Sequence, residues 1–255
     1  MPVQLGVLTS VLGNADEGVR GSVRGFVSLA GGIVDAYVKV VPPREIAVEC
    51  VCALLARQLN LEAPEPLIVF VPAALSGTAA DSLAFGCITV SHGNLRPWFA
   101  QIGDSAMKRR LRAWTELVPA ACFDEWIANH DRHGGNILYD GRDRFWLIDH
   151  GMAVAQELSV ETAVKNILFD VAVEGLSDQD MTMLKPKALG VMENFAEQTL
   201  FSILDEIPLG LWDPTFQQAV GIWLNERQAH LLRLAGDRVP TNQGNFIFDK
   251  THGGH

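Results

Sequence analysis

The chain is poor in the patterns that would give it a simple explanation. It has four cysteines in 255 residues, Cys50, Cys52, Cys87 and Cys122, and no CxxC pair among them. Cys50 and Cys52 fall in an apolar, helix-like run, where cysteine behaves as a small buried hydrophobe. The pattern speaks against structural zinc and a disulfide framework, and a reducing cytoplasm fits it. Basic residues are also scarce: Lys and Arg total 20 against 30 Asp and Glu, a net charge of −10. A general nucleic-acid binder normally carries a basic face, so no direct nucleic-acid partner is expected. Acidic balance still admits phosphorylated substrates, provided a local cation or a metal holds them. No apolar run reaches the length of a membrane span, and the longest, around 66–80, is broken by Pro72 and Gly77. Residues 1–13 lack the basic start of a signal peptide. The expectation is a cytoplasmic protein with no membrane contact, no internal repeats and no low-complexity blocks.

What the chain does have is a sizeable apolar fraction, 48%, enough for a substantial core. It also has one polar stretch of unusual density. Residues 123–139 place Asn129, His130, Asp131, Arg132, His133, Gly134, Gly135 and Asn136 between apolar runs, and residues 145–151 end in Asp149-His150-Gly151. Asp140-Gly141 between short apolar segments predicts a hairpin turn, so this polar loop is mounted on a hairpin. Asp131 and Asn136 stand five apart, and Asp149 follows Asn136 by thirteen. Asp, Asn and Gly populate turns in any protein, so the loop needs the rest of a site to mean more.

The first ninety residues supply candidates. A strand over 3–9 leads into a glycine-rich stretch over 13–25, where Gly21, Ser22 and Arg24 are the candidate phosphate contacts. Gly31-Gly32 predicts a hairpin between strands over 23–29 and 34–41. Lys39 is the one charge in the second of these strands from Ala36 onward: either an edge lysine that snorkels or one held to reach a phosphate. A helix over 44–60 follows Pro43, with Val48, Val51, Cys52, Leu55 and Leu59 as its core stripe. Glu45 and Glu49 flank that stripe, and either is placed to meet Lys39. Strands over 67–71 and 84–90 complete the half, and residues 91–94 form a turn-rich linker. A helix over 104–118 carries Lys108, Arg109, Arg110 and Arg112, a solvated basic face. Another helix over 120–128 leads into the polar loop, and residues from 160 to about 235 are helix-rich.

Phosphoryl transfer needs phosphates neutralised by a divalent metal, held in line, and a carboxylate to orient the acceptor. Asp131 suits the carboxylate, and Asn136 and Asp149 suit Mg2+, which prefers oxygen ligands shared with substrate phosphates. Lys39, steadied by a helix glutamate, suits the α- and β-phosphates of ATP, and His133 suits positioning of Asp131 or of the loop backbone. The histidines beside Asp131 and Asp149 also admit a metal phosphohydrolase, although such sites usually draw histidines from several separated elements.

Asn129-x-Asp131-x-His133-x-x-Asn136 resembles the catalytic loop of the HipA-like kinases, and Asp149-His150-Gly151 stands where that fold has Asp-Phe-Gly. The helix from Val48-Glu49 through Leu61, with Pro64 and Pro66 after it, is similar to the family's helix after the ATP-binding lysine. That alignment selects Glu49 as the partner of Lys39. The resemblance implies an α+β, two-lobed protein-kinase-like fold: a β-rich N-lobe over 1–92, a helical C-lobe over 93–235 and a flexible tail over 236–255. It implies transfer of the ATP γ-phosphate to serine or threonine of a protein substrate, and it admits an antitoxin-type partner. The sequence departs from the family at Gly135, where founding members have lysine, and at His150, where the metal-binding motif has phenylalanine. Asp131-Arg132-His133-x-x-Asn136 equally resembles phosphoinositide kinases, which leaves a lipid or small-molecule acceptor open, as it does a nucleotide-binding pseudokinase.

Overall fold

The computed structural model describes residues 3–14, 22–76, 79–90, 92–154, 157–196, 200–208 and 213–241. Its N-terminal part is a five-stranded closed barrel in the order β1-β2-β3-β5-β4. The strands are β1 (Gln4–Asn14), β2 (Val23–Leu29), β3 (Gly32–Lys39), β4 (Pro66–Val71) and β5 (Ser82–Ile88). β2 and β3 form the expected hairpin, closed at Leu29↔Gly32, where Gly32 takes φ 137°, a backbone region open to glycine alone. The parallel β1–β4 ladder closes the barrel. Alternate residues, among them Leu8, Val27, Ala36, Val38, Leu67 and Val69, fill its interior. Lys39 has the opposite parity from Val38 and so faces outward. Gly25, expected in the glycine-rich loop, is instead buried in β2, where a side chain would run into the Ser10 carbonyl.

Helix α1 (Pro43–Gln58) is buried nearly all round, from Ile46 to Ala56 except Leu54. A helix apolar on every side must lie inside the protein. It packs on β4 and β5 and shares one continuous core with the helical half.

The helical half begins with α3 (Arg96–Ile102), an element the sequence reading passed over; a four-residue helix, α2 (Ala73–Ser76), lies within the barrel half. The helix expected over 104–118 is two helices, α4 (Asp104–Ala113) and α5 (Leu117–Trp126), with Trp114 extended between them. Two of its four cations are paired: Lys108 with Asp104 and Glu174, and Arg112 with Glu174. The hairpin of β6 (Ile137–Tyr139) and β7 (Phe145–Leu147) turns at Asp140-Gly141 as expected. Beyond it come α6 (Ile167–Val173), α7 (Asp178–Ala196), α8 (Phe201–Leu204), α9 (Pro214–Gln228) and α10 (Leu231–Arg238). α10 therefore continues three residues into the expected tail. Arg227 of α9 is fully buried and donates to the Glu125 and Val160 carbonyls and the Glu125 carboxylate. No helix among the described residues is long and apolar enough to cross a membrane, and all four cysteines are free thiols.

Candidate active site

The site forms where the outward face of β3 meets the loop that leaves β7. Lys39, at the end of β3, sends its Nζ to Asp149 Oδ1 at 3.0 Å, a contact between residues 110 apart in sequence. The same Nζ lies 2.9 Å from Glu45 Oε1 and 3.6 Å from Glu49 Oε1. Both helix glutamates thus reach the lysine, and the nearer is Glu45. They sit one turn apart on α1, on one face, and Glu45 has room because residue 151 is glycine: a Cβ there would lie 2.6 Å from Glu45 Cγ. Glu49 is buried and also accepts the His150 backbone N–H at 2.7 Å.

One cation shared by three carboxylates leaves the cluster short of positive charge. Burial works against the charge on Lys39, but Glu49 and Asp149 outweigh it and hold the ammonium above its ordinary pKa. Glu49 is pushed up to about 7, first by burial and then by the Asp149 charge, which together outweigh the pull of Lys39. The two partners shift in the same direction because Lys39 cannot neutralise every carboxylate at once. Asp149 itself takes φ 59°, a left-handed conformation uncommon outside glycine, and its side chain is 45% exposed. A strained, open carboxylate beside a lysine is a functional signature.

The polar loop is built on a different ion pair. Arg132, in the middle of the polar loop, points inward. Its Nε and Nη2 hold the two oxygens of Asp124 on α5 at 2.9 Å each. Its Nη1 donates to the Asn136 carbonyl at 2.7 Å and to the Ile148 carbonyl at 2.6 Å. One guanidinium thereby fixes α5, the turn carrying Asn136 and the residue before Asp149. Asn129 Nδ2 adds a bond to Asp124 at 3.2 Å, and its amide oxygen accepts the Asp131 N–H at 3.3 Å. Asp131 is left exposed at the loop's crest. Asn136 Nδ2 donates to the Asp131 carbonyl at 3.0 Å, which leaves the amide oxygen as the candidate ligand atom. His133 caps the 3-10 turn Gly134–Asn136 through Nδ1, which accepts the Gly135 N–H at 3.0 Å.

His150 is buried against Phe123, ring centroids 5.9 Å apart, and its Nε2 has no hydrogen-bond partner. Burial first, then the Arg132 charge, hold its pKa well below the usual histidine value, so the ring is neutral and stands in for an aromatic. Asn136 and Asp149 offer oxygen donors that fit a hard divalent cation shared with phosphates. Among the described residues no group of three or more His, Cys, Asp or Glu is arranged as a metal cage.

Of the candidate phosphate contacts, Gly21 lies outside the described residues. Ser22 immediately precedes Val23, which pairs with Val38, and so lies toward the Lys39 end of the hairpin. Arg24 stands across from Tyr37 and is engaged by Asp35, Nη2 to Oδ2 at 2.6 Å. Asp35 also accepts the Thr89 hydroxyl at 2.9 Å, tying β3 to the segment after β5. Sequence reasoning passed over Asp124, whose pairing with Arg132 crosses from the end of α5 into the loop, where no single period applies. It also passed over the joint engagement of Glu45.

A family model described as HipA-like kinase matches residues 36–237. No curated protein sequence matches the chain. Among solved structures the chain is similar to the proinflammatory kinase CtkA of Helicobacter pylori, with a TM-score of 0.51 and 14% identity over 91% of this chain and 98% of that one. A Golgi casein kinase with Mn/ADP bound gives a TM-score of 0.48 at 13% identity, over 91% of this chain and 73% of that one. A second structure of a Golgi casein kinase gives 0.47 at 13% identity, over 94% and 74%.

Proposed function

The chain belongs to the HipA-like kinase family, a kinase with the protein-kinase fold, and on that premise we propose that it phosphorylates serine or threonine of a protein, using ATP and Mg2+. The observation that carries this reading is the meeting of Lys39 with Asp149 at 3.0 Å, beside the loop that bears Asp131 and Asn136. Lys39 would neutralise the α- and β-phosphates while Glu45 and Glu49 hold its ammonium in place. The Asn136 amide oxygen and the Asp149 carboxylate would hold the divalent metal, which would supply charge neutralisation at the phosphates. Asp131 would accept the proton of the incoming hydroxyl, its backbone pinned on one side by Asn129 and on the other by Asn136. Arg132 takes no part in the chemistry; it holds the loop and the Asp149 segment at a fixed spacing.

Incubation with γ-labelled ATP and Mg2+ tests the reading, wild type beside Asp131→Ala and Asp149→Asn. Label should appear on protein with the wild type and vanish with both variants. Label that persists in Asp131→Ala sinks the assignment of the base. Hydrolysis of phosphate esters without ATP sinks the kinase reading of the site.

A further inference from the structure

Most described arginines end on a carboxylate or a carbonyl: Arg24 on Asp35, Arg132 on Asp124, Arg227 and Arg238 on Glu125, Arg144 on Glu62. Arg96 does not. It is exposed, its backbone N–H bonds to Asn94 Oδ1, and no described carboxylate pairs with its guanidinium. Yet the guanidinium is held against the polar loop. A Cβ built on Gly135 would lie 2.7 Å from Arg96 Nε, 2.9 Å from its Cζ and 2.8 Å from His133 Cε1. The bare backbone of Gly135 is therefore the seat in which the guanidinium lies, with the His133 ring beside it. The base of α3 is fastened to the same loop, since the Leu95 N–H lies 2.9 Å from the Gly134 carbonyl and 3.0 Å from that of Ile137.

An unpaired guanidinium fixed beside a reactive loop, on a chain of net charge −10, is a binding group without its anion. The nucleotide has its own cation in Lys39, which arrives from the barrel. Arg96 arrives from the helical half, next to the loop that carries Asp131, the residue facing the acceptor. We propose that Arg96 is an acceptor-binding residue, whose guanidinium takes a carboxylate of an acidic peptide flanking the hydroxyl to be phosphorylated. This rests on the kinase reading above. An anionic membrane surface is disfavoured as the source of the anion, because it would repel so acidic a chain.

The test uses three labelled serine peptides that differ only in flanking residues, glutamate, alanine or lysine. Binding is read by fluorescence anisotropy and transfer by label from γ-labelled ATP. The wild-type chain should bind and phosphorylate the glutamate peptide about tenfold better than the alanine peptide, the scale of one charge-assisted contact. Arg96→Ala should erase that preference with KM for ATP unchanged, Arg96→Lys should keep part of it, and Arg96→Glu should shift it toward the lysine peptide. Equal treatment of the three peptides by wild type overturns the proposal. A rise in KM for ATP in Arg96→Ala with the peptide preference intact overturns it too, and assigns the contact to nucleotide. Displacement of the glutamate peptide by phosphatidylserine vesicles, lost in Arg96→Ala, overturns the choice of a peptide. Failure of the kinase reading shows separately, as the absence of Asp131-dependent transfer while an Arg96-dependent binding preference remains.

Discussion

Two cations organise the site, and they are treated in opposite ways. The Arg132 side chain is 0% exposed and four of its five N–H donors are answered, by two oxygens of Asp124 and two backbone carbonyls. Lys39 keeps 16% of its side chain exposed and faces three carboxylates, more negative charge than it can match. The first arrangement is buried and its charge is matched. The second is unbalanced, and the imbalance sits where a metal and phosphates would arrive. Satisfied polar networks rigidify a structure; open ones are where ligands act. The division of labour makes separate predictions for the two clusters and for the residues between them.

The largest effect should come from a residue in neither network. Asp131 is exposed and its carboxylate holds nothing else in place, so Asp131→Ala should lower kcat by about 10²–10⁴-fold with the thermal midpoint nearly unmoved. A large loss of stability in that variant would mean that Asp131 belongs with the Arg132 network. Arg132→Ala should do the reverse. It leaves Asp124 buried without its partner, a loss of about 3–5 kcal/mol, measured by denaturant unfolding, and activity should fall only because the loop loses its shape. Lys39→Met should fall between them. Glu49, pushed up to about 7 by burial and by Asp149, can take a proton when the lysine goes. The stability cost should thus stay well below that of Arg132→Ala, while kcat/KM falls by about 10²–10³-fold, the scale of one lost electrostatic contact.

The contrast also shows what was legible in the residues alone. Strands β2 and β3, the helix α1 and the β6–β7 hairpin could be read because their signals are local: Gly31-Gly32, Asp140-Gly141 and a run of apolar side chains. Lys39 and Asp149 were both expected at the phosphates, from spacing and resemblance, but their direct contact at 3.0 Å was not. The closing of the barrel through a parallel β1–β4 pair was not legible, since that pairing joins residues about sixty apart with no local mark. Nor was the break between α4 and α5, where neither glycine nor proline interrupts residues 104–118. Helix periodicity put Glu45 and Glu49 on one face but had no means of saying that both would turn to one lysine. Arg132 could not be given a partner from the residues alone, because Asp124 lies in the preceding helix and its other contacts are backbone carbonyls, which carry no sequence signal at all.

His150 joins the two clusters and offers a smaller, pH-dependent test. Its ring is buried and neutral beside Phe123, with Nε2 unpaired. Burial and the Arg132 charge depress its pKa, so the folded state refuses a proton that the unfolded chain takes near pH 6.5. The contribution of His150 to stability should therefore fall as pH drops below about 6.5, with no slope above it, against the opposite slope of Glu49, whose raised pKa of about 7 adds stability as pH falls. His150→Phe should flatten that acid slope and, by removing an unsatisfied buried nitrogen, add about 1 kcal/mol at neutral pH. Equilibrium unfolding from pH 5 to 8 measures both. An unchanged slope would place the acid sensitivity elsewhere.

The smallest effect is expected at Arg24, the residue whose expected phosphate role and observed partner pull in different directions. Asp35 holds it in a bidentate pair, Nε and Nη2 to both oxygens, on the exposed side of β2. Solvent-exposed pairs contribute little, and across from Tyr37 the guanidinium stands two residues along the hairpin from Lys39. Arg24→Ala should thus change KM for ATP by less than about twofold, where Lys39→Met changes transfer by orders of magnitude. Should KM for ATP rise tenfold instead, with Asp35→Ala leaving it unaltered, Arg24 must exchange Asp35 for phosphate on binding. In that case the β2–β3 hairpin would carry a second open cation, and the open cluster would extend beyond Lys39 along the roof of the cleft.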